Sequence, residues 1–161
     1  MKTVVISYAL DGDPVQHVHH SDAWSLFGML TKAPLDLRVI MERRKSDDDS
    51  YAIETADLFV GMVHFRGCDL MEDVSRRIAV KKPLRLFFRR EEPWHIELVL
   101  MLEHARLELA RDTDMSVASW VFPTLIRIDA AGSMFNQVEG FVMSEGRRLS
   151  PPSAPRPLAT L

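Results

Sequence analysis

Two carboxylates three residues apart, Asp69 and Glu72, stand where an apolar run gives way to an amphipathic one in ADLFVGMVHFRGCDLMEDVSRRIAVKKPLRLFF, residues 56–88. Asp57–Val63 reads as a strand and the polar residues after it as a loop. A helix is expected from about Leu70 to Val80, with Leu70, Val74 and Ile78 on one face. After Lys82-Pro83 the chain reads as a strand again, through Phe88. That order is the βαβ unit of a parallel sheet. It sets Glu72 in the first turn of a helix just beyond the carboxyl end of a strand, where open α/β sheets bind small ligands. The positive end of the helix dipole favours the ionised carboxylate. Such a group can attack or stabilise the anomeric carbon of a ribosyl unit, whose C–N cleavage passes through an oxocarbenium-like state. A structural role competes: Asp69 as N-cap with Glu72 three residues on is the carboxylate form of a capping box. On spacing alone the capping role is the weightier.

Other groups gather near the same edge. Arg66 follows the strand before Glu72, and Arg89-Arg90 follow the next strand. Their guanidinium groups suit bidentate contact with a phosphate, although pairing with Glu91-Glu92 explains Arg89-Arg90 equally well. Trp94 and His95 open the following helix, where Trp94 is better read as a packing residue than as a platform for a base. Cys68 has no partner base in the pattern and reads as a loop or buried thiol. His17, His19 and His20 form the sequence HVHHSD, which resembles the opening metal motif of polymerase-and-histidinol-phosphatase phosphoesterases. There the His-x-His pair continues the first strand and further ligands follow. Here His64, His95 and His104 are scattered, so a solvated loop is the expectation and no metal is implied.

These residues need a scaffold, and the chain spells one out. Thr3–Ala9 is a β-branched first strand, and Leu10–Ser21 reads as a loop. Trp24, Phe27 and Leu30 recur at helical spacing behind Ser21 or Asp22 as N-cap, and Ala33-Pro34 ends that helix. Leu35–Met41 is a second strand. Glu42–Ser50 is a solvated charge run leading into a short helix through Ala56. Glu91–Arg111 carries Leu98, Met101, Leu102, Ala105 and Leu109 on one stripe and reads as a long helix. Val117–Ile128 has β character broken by Pro123, which suits an edge strand. Phe135–Met143 fits a short helix or a strand. Strands alternating with helices, and central strands that are continuous apolar runs, imply a Rossmann-like α/β three-layer sandwich with four to five mainly parallel strands.

Length and composition agree. With 161 residues, 47% hydrophobic and 27% charged, the chain is the size and type of one globular domain, residues 1–149, with a proline-rich tail, 150–161, expected to be disordered. A net charge of −3 provides no basic field for nucleic acid or anionic membrane. No apolar run approaches the ~20 residues that span a bilayer. A strand-like start without a signal-peptide pattern and a single cysteine lead to the expectation of a cytoplasmic protein. The turn after the first strand, YALDGD, has neither a dinucleotide-binding nor a P-loop glycine pattern, which argues against dehydrogenases and P-loop nucleotidases.

Residues 56–88 resemble the core of the nucleoside 2-deoxyribosyltransferase-like superfamily, which includes hydrolases that release the base from nucleoside monophosphates. The matching residues are Ala56-Asp57-Leu58-Phe59-Val60, Gly67 and Asp69 in the loop, Glu72 opening the helix, Ala79, and Lys82-Pro83. The family's Gly-Thr-x-x-Glu pattern is absent, and Asp73-Val74 follow Glu72. The resemblance implies N-glycosidic cleavage or 2-deoxyribosyl transfer, with Glu72 as nucleophile, Asp69 and Tyr8 assisting, Asp49 at the base, and Arg66, Gly67 and Arg89 around the substrate. Of these, Arg66 and Arg89 come from their position at the sheet edge and not from the family pattern. The resemblance implies no cofactor, a small nucleoside or nucleotide as partner, and a homodimer or higher homo-oligomer. Val5-Ile6-Ser7-Tyr8-Ala9 with Asp11 also resembles the opening of Toll/interleukin-receptor domains, some of which cleave NAD. That resemblance implies an adaptor, a nucleotide sensor or an NAD-cleaving module as the alternative function.

Overall fold

The computed structural model describes residues 1–9, 17–44, 52–63, 68–112 and 123–145; at 9, 17–20, 43–44, 52, 68–70, 112 and 144–145 it describes the backbone alone. The elements run β1 (Lys2–Ala9), α1 (His17–Lys32), β2 (Leu37–Arg44), α2 (Ala52–Thr55), β3 (Leu58–Met62), α3 (Cys68–Ala79), β4 (Leu84–Phe88), α4 (His95–Asp112), β5 (Thr124–Arg127) and α5 (Ala131–Glu145). All five strands are parallel, in the order β2-β1-β3-β4-β5. The fold is an α/β three-layer arrangement of the Rossmann-like class.

Alternation along each strand divides the core in two. Val4, Ile6 and Tyr8 of β1 and Leu58, Val60 and Met62 of β3 face α1 and α5, meeting Ala23, Leu26 and Leu30 of α1 and Met134, Val138 and Phe141 of α5. Val5, Phe59, Leu84, Leu86 and Phe88 face the other way, against Ile53 of α2, Val74 of α3, and Leu98 and Leu102 of α4. β3 and β4 are buried at every position, as strands covered on both faces must be. On the α3 side the packing is close at Gly61, where a Cβ would stand 2.6 Å from Leu86 Cδ2.

Several boundaries differ from the sequence expectation. α1 starts at His17, so the histidine segment expected as a loop is its first turn, and Asp22 lies within the helix instead of capping it. The helical backbone at 17–20 replaces the extended one that an alternating metal pair would need. β2 runs on through Glu42–Arg44, because pairing with β1 continues to Ala9↔Arg44 and a ladder tolerates charge at an edge. Residues 131–145 are helical, with Met134, Val138 and Phe141 buried at intervals of four and three. β5 is an edge strand beginning after Pro123. The proline-rich tail lies outside the described residues. No helix among the described residues is long and apolar enough to cross a membrane.

The strand order determines where a ligand can sit. β1 crosses to β2 through α1 on one face, whereas β3 crosses to β4 through α3 on the other. The order therefore reverses between β1 and β3, leaving a crevice outside their carboxyl ends.

Candidate active site

α3 leaves β3 beside that crevice and carries the carboxylates. It begins at Cys68, so Asp69 lies inside the helix and Glu72 falls in its second turn. The capping-box reading placed Asp69 before the helix; the earlier start displaces it. Burial then sorts the helix into two stripes. Asp73, Val74 and Arg77 are buried against the sheet, while Glu72, Ser75 and Ala79 are exposed on the opposite side. A spacing of three and seven residues puts Glu72, Ser75 and Ala79 on one stripe. Glu72 is exposed and takes part in no hydrogen bond or ion pair among the described residues. Asp73, its neighbour, is 3% exposed and engaged.

The two arginines that follow these carboxylates secure the helix. Arg76 Nη2 stands 3.0 Å from Glu54 Oε1 of α2, with Nε at 3.2 Å. Arg77 is wholly buried; Nη1 donates to Ile53 O at 2.9 Å, and Nε and Nη2 donate to Pro83 O at 3.1 and 2.9 Å. Burial pulls Arg77 down to about 10, partly offset by the Asp57 carboxylate. A guanidinium in the core is costly unless its donors are used, and here three of them close on two backbone carbonyls, Ile53 O and the Pro83 O that also accepts the Phe59 amide.

The remaining expected site residues fall in different layers. Tyr8 is 7% exposed and its ring belongs to the core under α1 and α5, the layer opposite α3. Arg89, half-buried at the end of β4, is held by Asp22 of α1: Nε donates to Oδ2 at 2.5 Å and Nη2 to Oδ1 at 2.6 Å. Nη1 donates to Asp129 O at 2.8 Å. The Asp22 hydrogen bond raises the Arg89 pKa above its ordinary value. This fork-to-fork pair spans the carboxyl edge from α1 to the β5–α5 turn, so a phosphate at Arg89 would have to compete with a buried carboxylate. Arg90 is on the surface, 3.9 Å from Glu92. Asp49, Arg66 and Gly67 lie outside the described residues, and of Asp69 only the backbone is described.

Sequence reasoning names His95 only beside Trp94 at the helix start and does not foresee its burial. It is 2% exposed, edge-on to Phe88 and Trp94 with ring centroids at 5.3 and 4.4 Å. The Glu92 amide donates to its Nδ1 at 3.2 Å, which makes Nδ1 the acceptor and leaves the proton of a neutral ring on Nε2. His95 lies in the floor of a cleft of about 540 Å³, with Glu91, Glu92, Pro93, Ile96 and Val99 around it. Its position directly after Trp94 at a helix start was the available signal, but nothing local distinguishes it from a surface histidine. No group of three His, Cys, Asp or Glu side chains among the described residues is placed to hold a metal. No protein-family model matches the chain, and no curated protein resembles it closely enough to count as a relative.

Proposed function

We propose that the chain binds a nucleoside or nucleoside 5′-monophosphate at the carboxyl edge of its sheet and cleaves or transfers its N-glycosidic bond, with Glu72 as nucleophile. One observation carries this reading: on the helix that leaves β3 where the strand order reverses, Glu72 is an exposed carboxylate unclaimed by any ion pair among the described residues. In the reaction a Glu72 carboxylate oxygen bonds to C1′ as the C1′–N bond breaks. The electron pair leaves on the base nitrogen, which takes up a proton. Water then hydrolyses the glycosyl ester, or a second base attacks C1′ and restores the carboxylate.

The test is incubation with deoxynucleosides, their 5′-monophosphates and NAD, followed by chromatography for free base. Release is expected from a deoxynucleoside or its monophosphate, and Glu72→Gln is expected to lower it by roughly a thousandfold. The variant keeps its fold, because the side chain is exposed and bonded to nothing described. Asp73→Asn runs beside it: loss of release in that variant alone would move the nucleophile one residue inward. An unchanged panel would refute the reading.

A further inference from the structure

α4 turns a row of large apolar side chains to solvent. Ile96, Leu100 and Leu107 are 64%, 65% and 57% exposed, more than any other large hydrophobic residue described except Met1. Their spacing of four and seven residues puts them within an arc of roughly 40° on the helix. Leu98 and Leu102, on the opposite side, carry the packing on the sheet. The flank toward α3 is a third one, where Ser75 Oγ donates to Met101 Sδ at 3.8 Å. The exposed row therefore serves neither the core nor the contact between helices. At its amino end Ile96 runs into the cleft of about 540 Å³, beside Pro93, Val99, Glu91 and Glu92. Leucines exposed singly carry no meaning, but a row of them leading into a cleft marks a docking surface.

Charge narrows what docks. Between Glu91 and Asp112 stand six carboxylates and two guanidinium groups, a net charge of −4 against −3 for the whole chain, so this segment holds all of the acidic surplus. Glu91 is exposed and takes part in no hydrogen bond or ion pair among the described residues. Glu92 stands 3.9 Å from the solvent-exposed Arg90, a weak pair. Glu103, which interrupts the row between Leu100 and Leu107, is held by Arg106 at 3.1 Å. The open carboxylates thus gather at the cleft end. We propose that this face of α4 receives a basic amphipathic helix of another protein. Its apolar residues, three and four apart, lie along Ile96, Leu100 and Leu107, and a lysine or arginine near its end enters the cleft. The stem of that side chain rests on Ile96 and Val99 while its cation meets Glu91 and Glu92. A second copy of this chain would bring −4 against −4, and an anionic lipid surface or nucleic acid would also be repelled. Glu72 plays no part in this contact.

The probe is a helical peptide of about 18 leucine and lysine residues, with leucine at intervals of three and four. It is labelled at one end and titrated with the protein from roughly 1 μM to 1 mM by fluorescence anisotropy. Saturable one-to-one binding is expected. Leu100→Glu and the pair Glu91→Lys/Glu92→Lys should each weaken it tenfold or more, with circular dichroism checking that each variant is folded. Met29→Glu, at an exposed position of α1 on the other face of the sheet, should leave it unchanged. A peptide of the same composition with its leucines scattered should bind at least tenfold more weakly. No binding at 1 mM, equal binding of the scattered peptide, or binding that neither α4 variant alters overturns the proposal. So does a mass of twice 18.4 kDa for the protein alone that Leu100→Glu returns to the single-chain value, which would make a second copy the occupant.

Discussion

The two edges of the sheet are built differently. At the amino edge the described connections are short and their polar groups are committed to architecture. The Asp57 carboxylate accepts the Thr3 amide at 2.7 Å while the Asp57 amide donates to Thr3 O at 2.9 Å, joining the starts of β1 and β3. Arg77 gathers the Ile53 and Pro83 carbonyls beside them. At the carboxyl edge one ion pair, Asp22–Arg89, ties α1 to β4, while Glu72 and the Glu91–Glu92 cleft stay open to solvent. In an open parallel sheet the carboxyl ends are where ligands bind. The contrast teaches that polar residues here divide by edge, into those that hold the fold and those left available for binding.

If that division holds, damage to stability should be greatest at the amino edge. Arg77→Met keeps most of the volume but removes three hydrogen bonds, one to the buried Ile53 carbonyl and two to the half-buried Pro83 carbonyl, and it is expected to cost about 3 kcal/mol, read as a lower urea midpoint. A change under about 1 kcal/mol would mean that the guanidinium is replaceable by packing alone. Arg89→Ala is the matching cut at the carboxyl edge. Its side chain is a third exposed, so solvent screens the pair, but the partner left behind is a buried aspartate. A loss of about 1–2 kcal/mol is expected by the same measurement. A larger loss than for Arg77→Met would reverse the comparison and make the carboxyl edge the structural one.

How far the sequence reached follows the same division. The strands and their mainly parallel arrangement, though not their order in the sheet, were legible because two-sided burial writes itself as unbroken apolar runs in β3 and β4, and the stripe of α4 as Leu98, Leu102, Ala105 and Leu109. The Asp22–Arg89 pair was not legible. Its members are 67 positions apart, and each had a plausible local role, Asp22 as an N-cap and Arg89 beside Glu91. The buried role of Arg77 was hidden too, since an arginine on an amphipathic helix reads as solvated until tertiary contacts claim it. Glu72 was placed on the right helix, but its stripe depended on where α3 begins. An earlier start changes the turn in which a carboxylate falls, and local spacing does not determine helix starts that closely.

The smallest expected effect tests the amino edge from the opposite direction, by relieving a strain. Two residues past the end of α3, Lys81 stands at φ 55°, its amide donating to Ile78 O at 3.0 Å, just before Lys82-Pro83 turns the chain into β4. That left-handed conformation crowds Cβ against the backbone in any L-residue, and helices commonly end on glycine for this reason. Lys81 is exposed and engaged in a further interaction, but solvent screens an interaction at an exposed lysine, which leaves little to set against the strain. Lys81→Gly should therefore stabilise the protein by about 1 kcal/mol, less the extra freedom glycine gives the unfolded chain. Lys81→Val, branched at Cβ, should destabilise it. If instead glycine lowers the urea midpoint, the lysine side chain is contributing a bond worth more than the strain, and Lys81 joins Asp57 and Arg77 among the residues that hold this edge.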